Sequence, residues 1–188
     1  MEKVIITIAR QYGSGGKTIG ETLARDLGIN CYDRELMRLA SDESGIAEGL
    51  FGKADEKLKN SPLIRITKNV YKGQLIPPES DEFTSNDNLF NYQAKVIRQL
   101  AEAESCVIIG RCADYVLREY PNHMNVFLYA PLDARIKHMC ETYDLSWPEA
   151  DKLIKRVDRQ RHNYYKYVTG KNRGDRDNKH LMIDVSEY

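Results

Sequence analysis

Residues 13–18, Gly-Ser-Gly-Gly-Lys-Thr, are of the types that bind phosphate. They follow an apolar run that includes Val4, Ile6 and Ile8, and residues 19–27 after them have helical spacing. Small residues let backbone N–H groups approach phosphate oxygens, and a helix N-terminus adds about half a positive charge. The order of strand, glycine loop, Lys-Thr and helix is that of a P-loop.

The P-loop assignment gives each of these residues an expected role. Lys17 would reach the β- and γ-phosphates as a catalytic residue, and the Thr18 hydroxyl would hold Mg²⁺ as a metal ligand. The expected ATP-binding residues are Gly13, Ser14, Gly15, Gly16, Lys17 and Thr18. Gln11 stands where the consensus has its first glycine, so an ordinary glycine-rich turn with Lys17-Thr18 present by chance is the alternative.

A basic segment near the C-terminus is the second candidate for chemistry. Between Lys152 and Arg176 there are nine Lys or Arg and two acidic residues, in a chain whose 28 basic and 28 acidic side chains balance. Ser146, Pro148 and Glu149 predict the start of a long helix with a capping box. Its arginines could close over phosphates during transfer, because that chemistry needs positioning and charge neutralisation. A solvated charged face is the alternative.

The elements around these residues alternate between strand and helix. Apolar runs at 29–32, 105–110, 124–130 and 180–184 predict buried strands, and helical spacing appears at 35–47 and 89–103. Such alternation predicts an α/β fold with a doubly wound parallel sheet, in which ligands bind beyond the carboxyl ends of the strands. We therefore expect four segments that follow strands to converge on one crevice, namely 13–17, 33–34, 110–114 and 131–133.

Residues 60–88 interrupt this alternation with prolines, glycine and many polar side chains. A long irregular insertion in a compact domain is often a lid or a binding loop. A mobile surface excursion explains the composition equally well. Three tyrosines within the basic segment, Tyr164, Tyr165 and Tyr167, are expected to pack against the sheet, although one could stack on a base.

Taken together, the pieces resemble the cytidylate-kinase-like branch of the nucleoside monophosphate kinases. The matching segments are 9–17, 32–35, 110–114, 134–135 and 156–161. The resemblance implies one P-loop NTPase-type domain over 1–188, a three-layer fold with a parallel sheet flanked by helices and a helical lid over about 146–176. It also implies phosphoryl transfer from ATP to a nucleoside monophosphate, CMP or dCMP, with Mg²⁺.

The resemblance implies further site residues, position by position. The expected acceptor-side residues are Asp33, Arg34, Arg111, Arg135, Asp158 and Arg161. The expected catalytic residues besides Lys17 are the lid-helix arginines Arg156, Arg159 and Arg161.

Two of these assignments leave alternatives open from the residues alone. Asp33 could contact the acceptor, join the Mg²⁺ shell or cap the following helix, which is the default role of such a residue. Arg111 could instead pair with Asp114 or another carboxylate. Cytidylate kinases proper carry an Asp-Thr-Gly element near the acceptor, where this chain has Asp33-Arg34-Glu35, so the base pocket is expected to differ.

Composition bounds the partners and the compartment. The balanced charge gives no sign of a nucleic-acid or membrane partner, and no run approaches 18 apolar residues. Four scattered cysteines and an N-terminus that enters a strand at once predict reduced thiols in the cytoplasm. A monomer and a homodimer fit equally. Two other functions stay open: a P-loop kinase for a non-nucleotide small molecule, and a nucleotide-binding regulatory protein without turnover.

Overall fold

A parallel sheet organises the protein, whose computed structural model describes residues 3–57 and 74–187, with the side chains of 54–57 left out. Its strands are rich in Ile and Val, as expected of strands covered on both faces. The order across the sheet is β2-β3-β1-β4-β5, and every neighbouring pair is parallel. The strands are β1 (Ile5–Arg10), β2 (Asn30–Tyr32), β3 (Cys106–Ile109), β4 (His123–Tyr129) and β5 (Leu181–Asp184).

Helices cover both faces of the sheet. One face, with Ile6, Ile8 and Val107, packs against the helix that follows the glycine loop. The other face, with Ile5 and Ile108, packs against several helices. The helices are α1 (Gly16–Leu27), α2 (Glu35–Ser44), α3 (Glu48–Lys57), α4 (Asn86–Ala103), α5 (Ala113–Val116), α6 (Leu132–Tyr143) and α7 (Trp147–Thr169). This three-layer arrangement confirms the predicted fold class.

The long helix α7 begins as predicted. Ser146 N–H donates to Glu149 Oε2 at 3.0 Å, and the reciprocal bond completes the capping box. Ile154 near its start packs with Ile136 and Met139 of α6 in a small core of their own. Its C-terminal half joins the main core through the buried side chains of Tyr164 and Tyr165, which confirms the packing expected of these tyrosines.

Some boundaries differ from the sequence-based expectation. The helix predicted at 35–47 ends at Ser44, because Gly45 adopts a left-handed conformation with φ of 73°. The helix predicted at 89–103 begins earlier, at Asn86, where the Ser85 hydroxyl caps it by accepting from Asn88 N–H. Of the predicted insertion at 60–88, residues 60–73 lie outside the described residues. Within the described part, none of the helices is both long and apolar enough to cross a membrane.

Candidate active site

The glycine loop after β1 leaves the N-terminus of α1 open towards a crevice of about 570 Å³. Gly15 is the N-cap residue, with φ of 68°, and no side chain among the described residues caps α1. The first N–H groups of this helix are therefore available to a ligand. A Cβ atom at Gly13 would lie 3.1 Å from the Arg135 carbonyl oxygen, so a side chain there would crowd the loop. These features suit a phosphate-binding backbone.

Gln11, the departure from the consensus, holds the loop against the end of β4. Its N–H donates to Leu128 O at 3.0 Å, and its side-chain Oε1 accepts from Ala130 N–H at 3.1 Å. Its own carbonyl accepts from the Ser14 hydroxyl at 2.9 Å. A glycine could not make the side-chain contact, so Gln11 adds an anchor to the loop.

Arg135 and Asp158 hold the loop from its other side, and we call this pair the P-loop clamp. Arg135 Nη1 lies 2.6 Å from Asp158 Oδ2, and the two side chains are 8% and 25% exposed. Arg135 also donates to Tyr12 O at 3.1 Å and to Ala130 O at 3.0 Å. Tyr12 N–H in turn donates to Asp158 Oδ1 at 2.8 Å. The clamp ties α6 and α7 to the loop backbone.

Four arginines from distant parts of the chain line the crevice beside the loop. They are Arg10 at the end of β1, Arg111 after β3, Arg161 on α7 and Arg173 after α7. Arg161 Nη1 lies 3.5 Å from Arg10 O, and Arg173 Nη2 donates to the same carbonyl. Arg161 is 151 positions from Arg10 along the chain, and Arg173 is 163 positions from Arg10. Only the tertiary fold brings these charges together.

Burial and mutual repulsion weaken the arginines' hold on their protons. Burial first, and then the charge of Arg161, lowers the pKa of Arg10 to about 9. The same two causes lower the pKa of Arg173 to about 10, and burial lowers the pKa of Arg161. Asp33 opposes the effect at Arg10, since its Oδ1 lies 3.7 Å from Arg10 Nη2. The cluster is therefore an electropositive site that an anion would stabilise.

A buried ion pair lies at the wall of the same crevice. Lys179 Nζ lies 2.5 Å from Asp114 Oδ2, with the two side chains 0% and 5% exposed. The Tyr165 hydroxyl donates to the same Asp114 oxygen at 2.9 Å. This group joins the short helix α5, helix α7 and the segment that leads into β5. Asp114 is thus neutralised by lysine within the fold.

A family model for the cytidylate kinase-like family matches residues 5–187. The chain belongs to this family. The match supports phosphotransferase activity and agrees with the resemblance found in the sequence. No curated protein matches the chain.

Solved structures share the fold of this cytidylate kinase-like protein. An uncharacterized protein from Eubacterium ventriosum has 24% identity and a TM-score of 0.70, covering 97% of this chain and 89% of that one. A gluconokinase from Sinorhizobium meliloti has 16% identity, a TM-score of 0.54 and coverages of 98% and 84%. A shikimate kinase from Bacteroides thetaiotaomicron has 15% identity, a TM-score of 0.53 and coverages of 98% and 87%. The last two are P-loop kinases, which confirms the P-loop NTPase fold.

The fold brings three of the four predicted segments to the crevice of the cytidylate kinase-like protein. Residues 13–17, 33–34 and 110–114 line it, whereas 131–133 do not, and α6 contributes its later turns through His138 and Thr142 instead. Asp33 does not cap α2, since Arg34 is the N-cap residue and no side chain of the described part bonds there. The default role given to Asp33 is thus wrong, and the carboxylate faces Arg10.

The remaining predicted residues divide by position. Lys17, Thr18, Arg34, Arg111 and Arg161 line the crevice. Arg135 and Asp158 form the P-loop clamp, and Arg156 and Arg159 are exposed on α7 outside the lining. The sequence reasoning assigned no role to Arg10 or Arg173. Arg10 lies in the matching segment 9–17 and Arg173 in the basic segment, but nothing in the neighbouring sequence indicates where these two side chains lie in the fold.

Proposed function

We propose that the protein transfers the γ-phosphoryl group of ATP to a nucleoside monophosphate, with CMP or dCMP favoured, in the cytoplasm. The family match supports the phosphotransferase part, and the resemblance in the sequence supports the nucleotide acceptor. Among the described residues the cysteines are free thiols, in keeping with a reducing compartment. The observation that carries the proposal is the charge of the crevice.

Cations outnumber carboxylates in the crevice lining by six to two. One of the two carboxylates, Asp114, is already paired with the buried Lys179. The P-loop backbone and Lys17 would suffice for a triphosphate, and the four clustered arginines form a second positive region that would attract another anion. An acceptor that carries its own phosphate supplies it. A neutral acceptor would leave buried like charges facing one another.

The donor would lie over the N-terminus of α1. The Lys17 side chain is 60% exposed, and its Nζ lies 3.5 Å from Glu21 Oε1. An exposed ion pair of this kind is weak, so Lys17 can turn towards the β- and γ-phosphates. The Thr18 hydroxyl, exposed in the first turn of α1 and lining the crevice, would hold Mg²⁺ together with phosphate oxygens. When bound, Mg²⁺ neutralises charge on the phosphates. The oxygen chemistry of Thr18 fits that ion.

The reaction needs no nucleophile or base from the protein. An acceptor phosphate oxygen, ionised at neutral pH, bonds to the γ-phosphorus while the bond to the β,γ-bridging oxygen breaks. Lys17 neutralises the charge that develops on the leaving diphosphate. Arg161 lies beside Tyr12 of the loop, with the guanidinium 5.2 Å from the ring centroid, and would stabilise the transferring group from the α7 side. The P-loop clamp keeps the loop in position during transfer.

An acceptor panel tests the proposal directly. The full chain is incubated with MgATP and separately with CMP, dCMP, UMP, AMP, GMP, shikimate and gluconate, and ADP release is followed with product identification by ³¹P NMR. We expect acceptor-dependent ADP with CMP or dCMP above the other compounds. Arg25→Gln serves as the control variant, because Arg25 is an exposed α1 residue outside the crevice.

The other outcomes separate the alternatives. Turnover with shikimate or gluconate alone would identify a kinase for a non-nucleotide acid and overturn the nucleotide acceptor. Tight ATP binding without transfer to any acceptor would support a regulatory nucleotide-binding protein. Normal turnover in Lys17→Ala would remove the P-loop from the mechanism.

A further inference from the structure

Close packing against two glycines fixes the conformation of the Arg10 side chain. Its stem lies against the loop, because a Cβ atom at Gly16 would be 2.7 Å from Arg10 Cβ and from Arg10 Cγ. Its guanidinium covers Gly110, where a Cβ atom would be 2.2 Å from Nη1. Glycine at both positions leaves room for Arg10 in its observed conformation, from which a side chain at either position would displace it. Two glycines from separate segments thus aim Arg10 away from the triphosphate loop and towards β3.

That direction leads to the acceptor side of the crevice. In the sheet order, β3 and β2 lie on one side of β1, and β4 lies on the other. Arg111 follows β3, Asp33 follows β2, and both line the crevice where Arg10 ends. The P-loop follows β1 in the middle of the sheet, and α6 follows β4 on the other side. The guanidinium of Arg10 is therefore among the acceptor-side charges, although it arises from the strand that leads into the P-loop.

The partner of Arg10 is weakly engaged. Within the described part of the chain, Arg10 forms an ion pair with Asp33, in which Nη2 lies 3.7 Å from Oδ1, beyond hydrogen-bond range. The side chains are 15% and 20% exposed, so neither is well solvated. The nearby charges of Arg161, Arg173 and Arg111 oppose that of Arg10. A single carboxylate at this distance is an incomplete counterion for a mostly buried guanidinium that lies close to other arginines.

We propose that Arg10 binds the anionic group of the acceptor and that Asp33 is a built-in counterion, exchanged for that group when the acceptor enters. The inference rests on the proposed function and names a residue pair within that site. Asp33 keeps the empty cluster folded by partly neutralising Arg10. The acceptor's phosphate, with two negative charges and a forked geometry that matches guanidinium, then replaces it.

The exchange predicts opposite effects for the two residues. Arg10→Gln should weaken CMP binding about 10- to 100-fold, the range for losing one charge-assisted hydrogen bond, while the Kd for MgATP stays within about twofold. Asp33→Asn should tighten CMP binding by about three- to tenfold, because the competing carboxylate is gone. In the Arg10→Gln background, Asp33→Asn should have no effect on CMP, as a double-mutant cycle would reveal.

Titration calorimetry of the full chain with CMP, cytidine and MgATP measures these affinities without needing turnover. Arg10→Lys is the second variant, which keeps the charge but loses the fork and should weaken CMP less than Arg10→Gln. Cytidine, which lacks the phosphate, should bind all variants alike. Thermal unfolding of each variant checks folding, and Arg25→Gln is the matched surface control.

Three results would overturn the inference. Equal weakening of CMP and MgATP by Arg10→Gln would assign Arg10 to the donor site, and unchanged CMP affinity in both Arg10 variants would make it a packing residue. An additive effect of Asp33→Asn in the double variant would remove the exchange. Wild-type protein that binds CMP through Arg10 yet never phosphorylates it would instead refute the proposed function while leaving this inference standing.

Discussion

Replacing Arg135 by methionine tests whether the P-loop clamp is structural. The substitution keeps an apolar stem and removes the guanidinium, which donates to Asp158, Tyr12 and Ala130. Removing one partner of a buried ion pair costs about 3–5 kcal/mol, because the other charge stays behind unpaired. Asp158 is 25% exposed, so water solvates part of the remaining carboxylate and the lower end applies, about 3 kcal/mol.

Urea unfolding followed by circular dichroism measures this loss. For a chain of this length, about 3 kcal/mol corresponds to a fall in Tm of about 6–12 °C. Lys155→Met is the control, on the helix α7 that carries Asp158, since Lys155 pairs with Asp151 at 2.8 Å with side chains 63% and 30% exposed. We expect that control to change the unfolding free energy by less than about 0.5 kcal/mol. A loss below about 1 kcal/mol in Arg135→Met would refute the reasoning.

Kinetics then separate the clamp from the acceptor role that the family resemblance implies for Asp158. If Asp158 positions the loop through Tyr12 N–H, Asp158→Asn should raise the KM for ATP more than the KM for the acceptor, together with a loss of stability. A rise confined to the acceptor KM, with unchanged stability, would place Asp158 at the acceptor. The two roles therefore differ in both observables.

Three further predictions concern other parts of the molecule. Lys17→Met should lower kcat/KM about 100- to 1000-fold, measured by steady-state rates. It should change the unfolding free energy in urea by less than about 0.5 kcal/mol, because the lysine is exposed beside Glu21. Gln11→Ala should cost about 1 kcal/mol in urea unfolding by leaving Ala130 N–H without its acceptor, and Gln11→Glu should cost less. Burial lowers the pKa of His123 to about 4 in the folded protein, against about 6.5 in the unfolded chain. Between these two pH values the unfolded chain binds more protons, so the unfolding free energy should fall as the pH drops from about 6.5 to 4. His123→Gln should lose most of that dependence, and an unchanged slope would contradict it.

Much of the fold could be predicted because its signals are local. The strands, the glycine loop and the α7 capping box each depend on residues close together in the sequence, and the structure confirms them. Helix α3 escaped prediction because Gly49 and Gly52 weaken its helical pattern, and its residues make a less amphipathic stripe than the other helices. The early start of α4 was missed because Ser85 is one polar residue among many in that segment.

The site divides in the same way. The sequence alone determined that a phosphate-binding loop follows the first strand, that Lys17 and Thr18 stand at the start of α1, and that a basic helix lies near the C-terminus. Each depends on spacing within a few residues. Arg111 was assigned to the crevice because it follows a predicted strand, and Arg161 because of the resemblance, and the fold places both there.

Only the tertiary structure decided how the charges are divided. Arg135 forms a clamp with Asp158 because α6 and α7 pack side by side through Ile136 and Ile154. Arg10 reaches Asp33 because β1 and β2 flank β3 in the sheet, an order that the chain does not spell out. Arginine carries the same charge whether it is buried in an ion pair, aimed into a crevice or exposed to water. Its neighbours in space select among these roles, and some of them, such as Tyr12 for Arg135 and Arg10 for Arg161, are more than a hundred residues away along the chain.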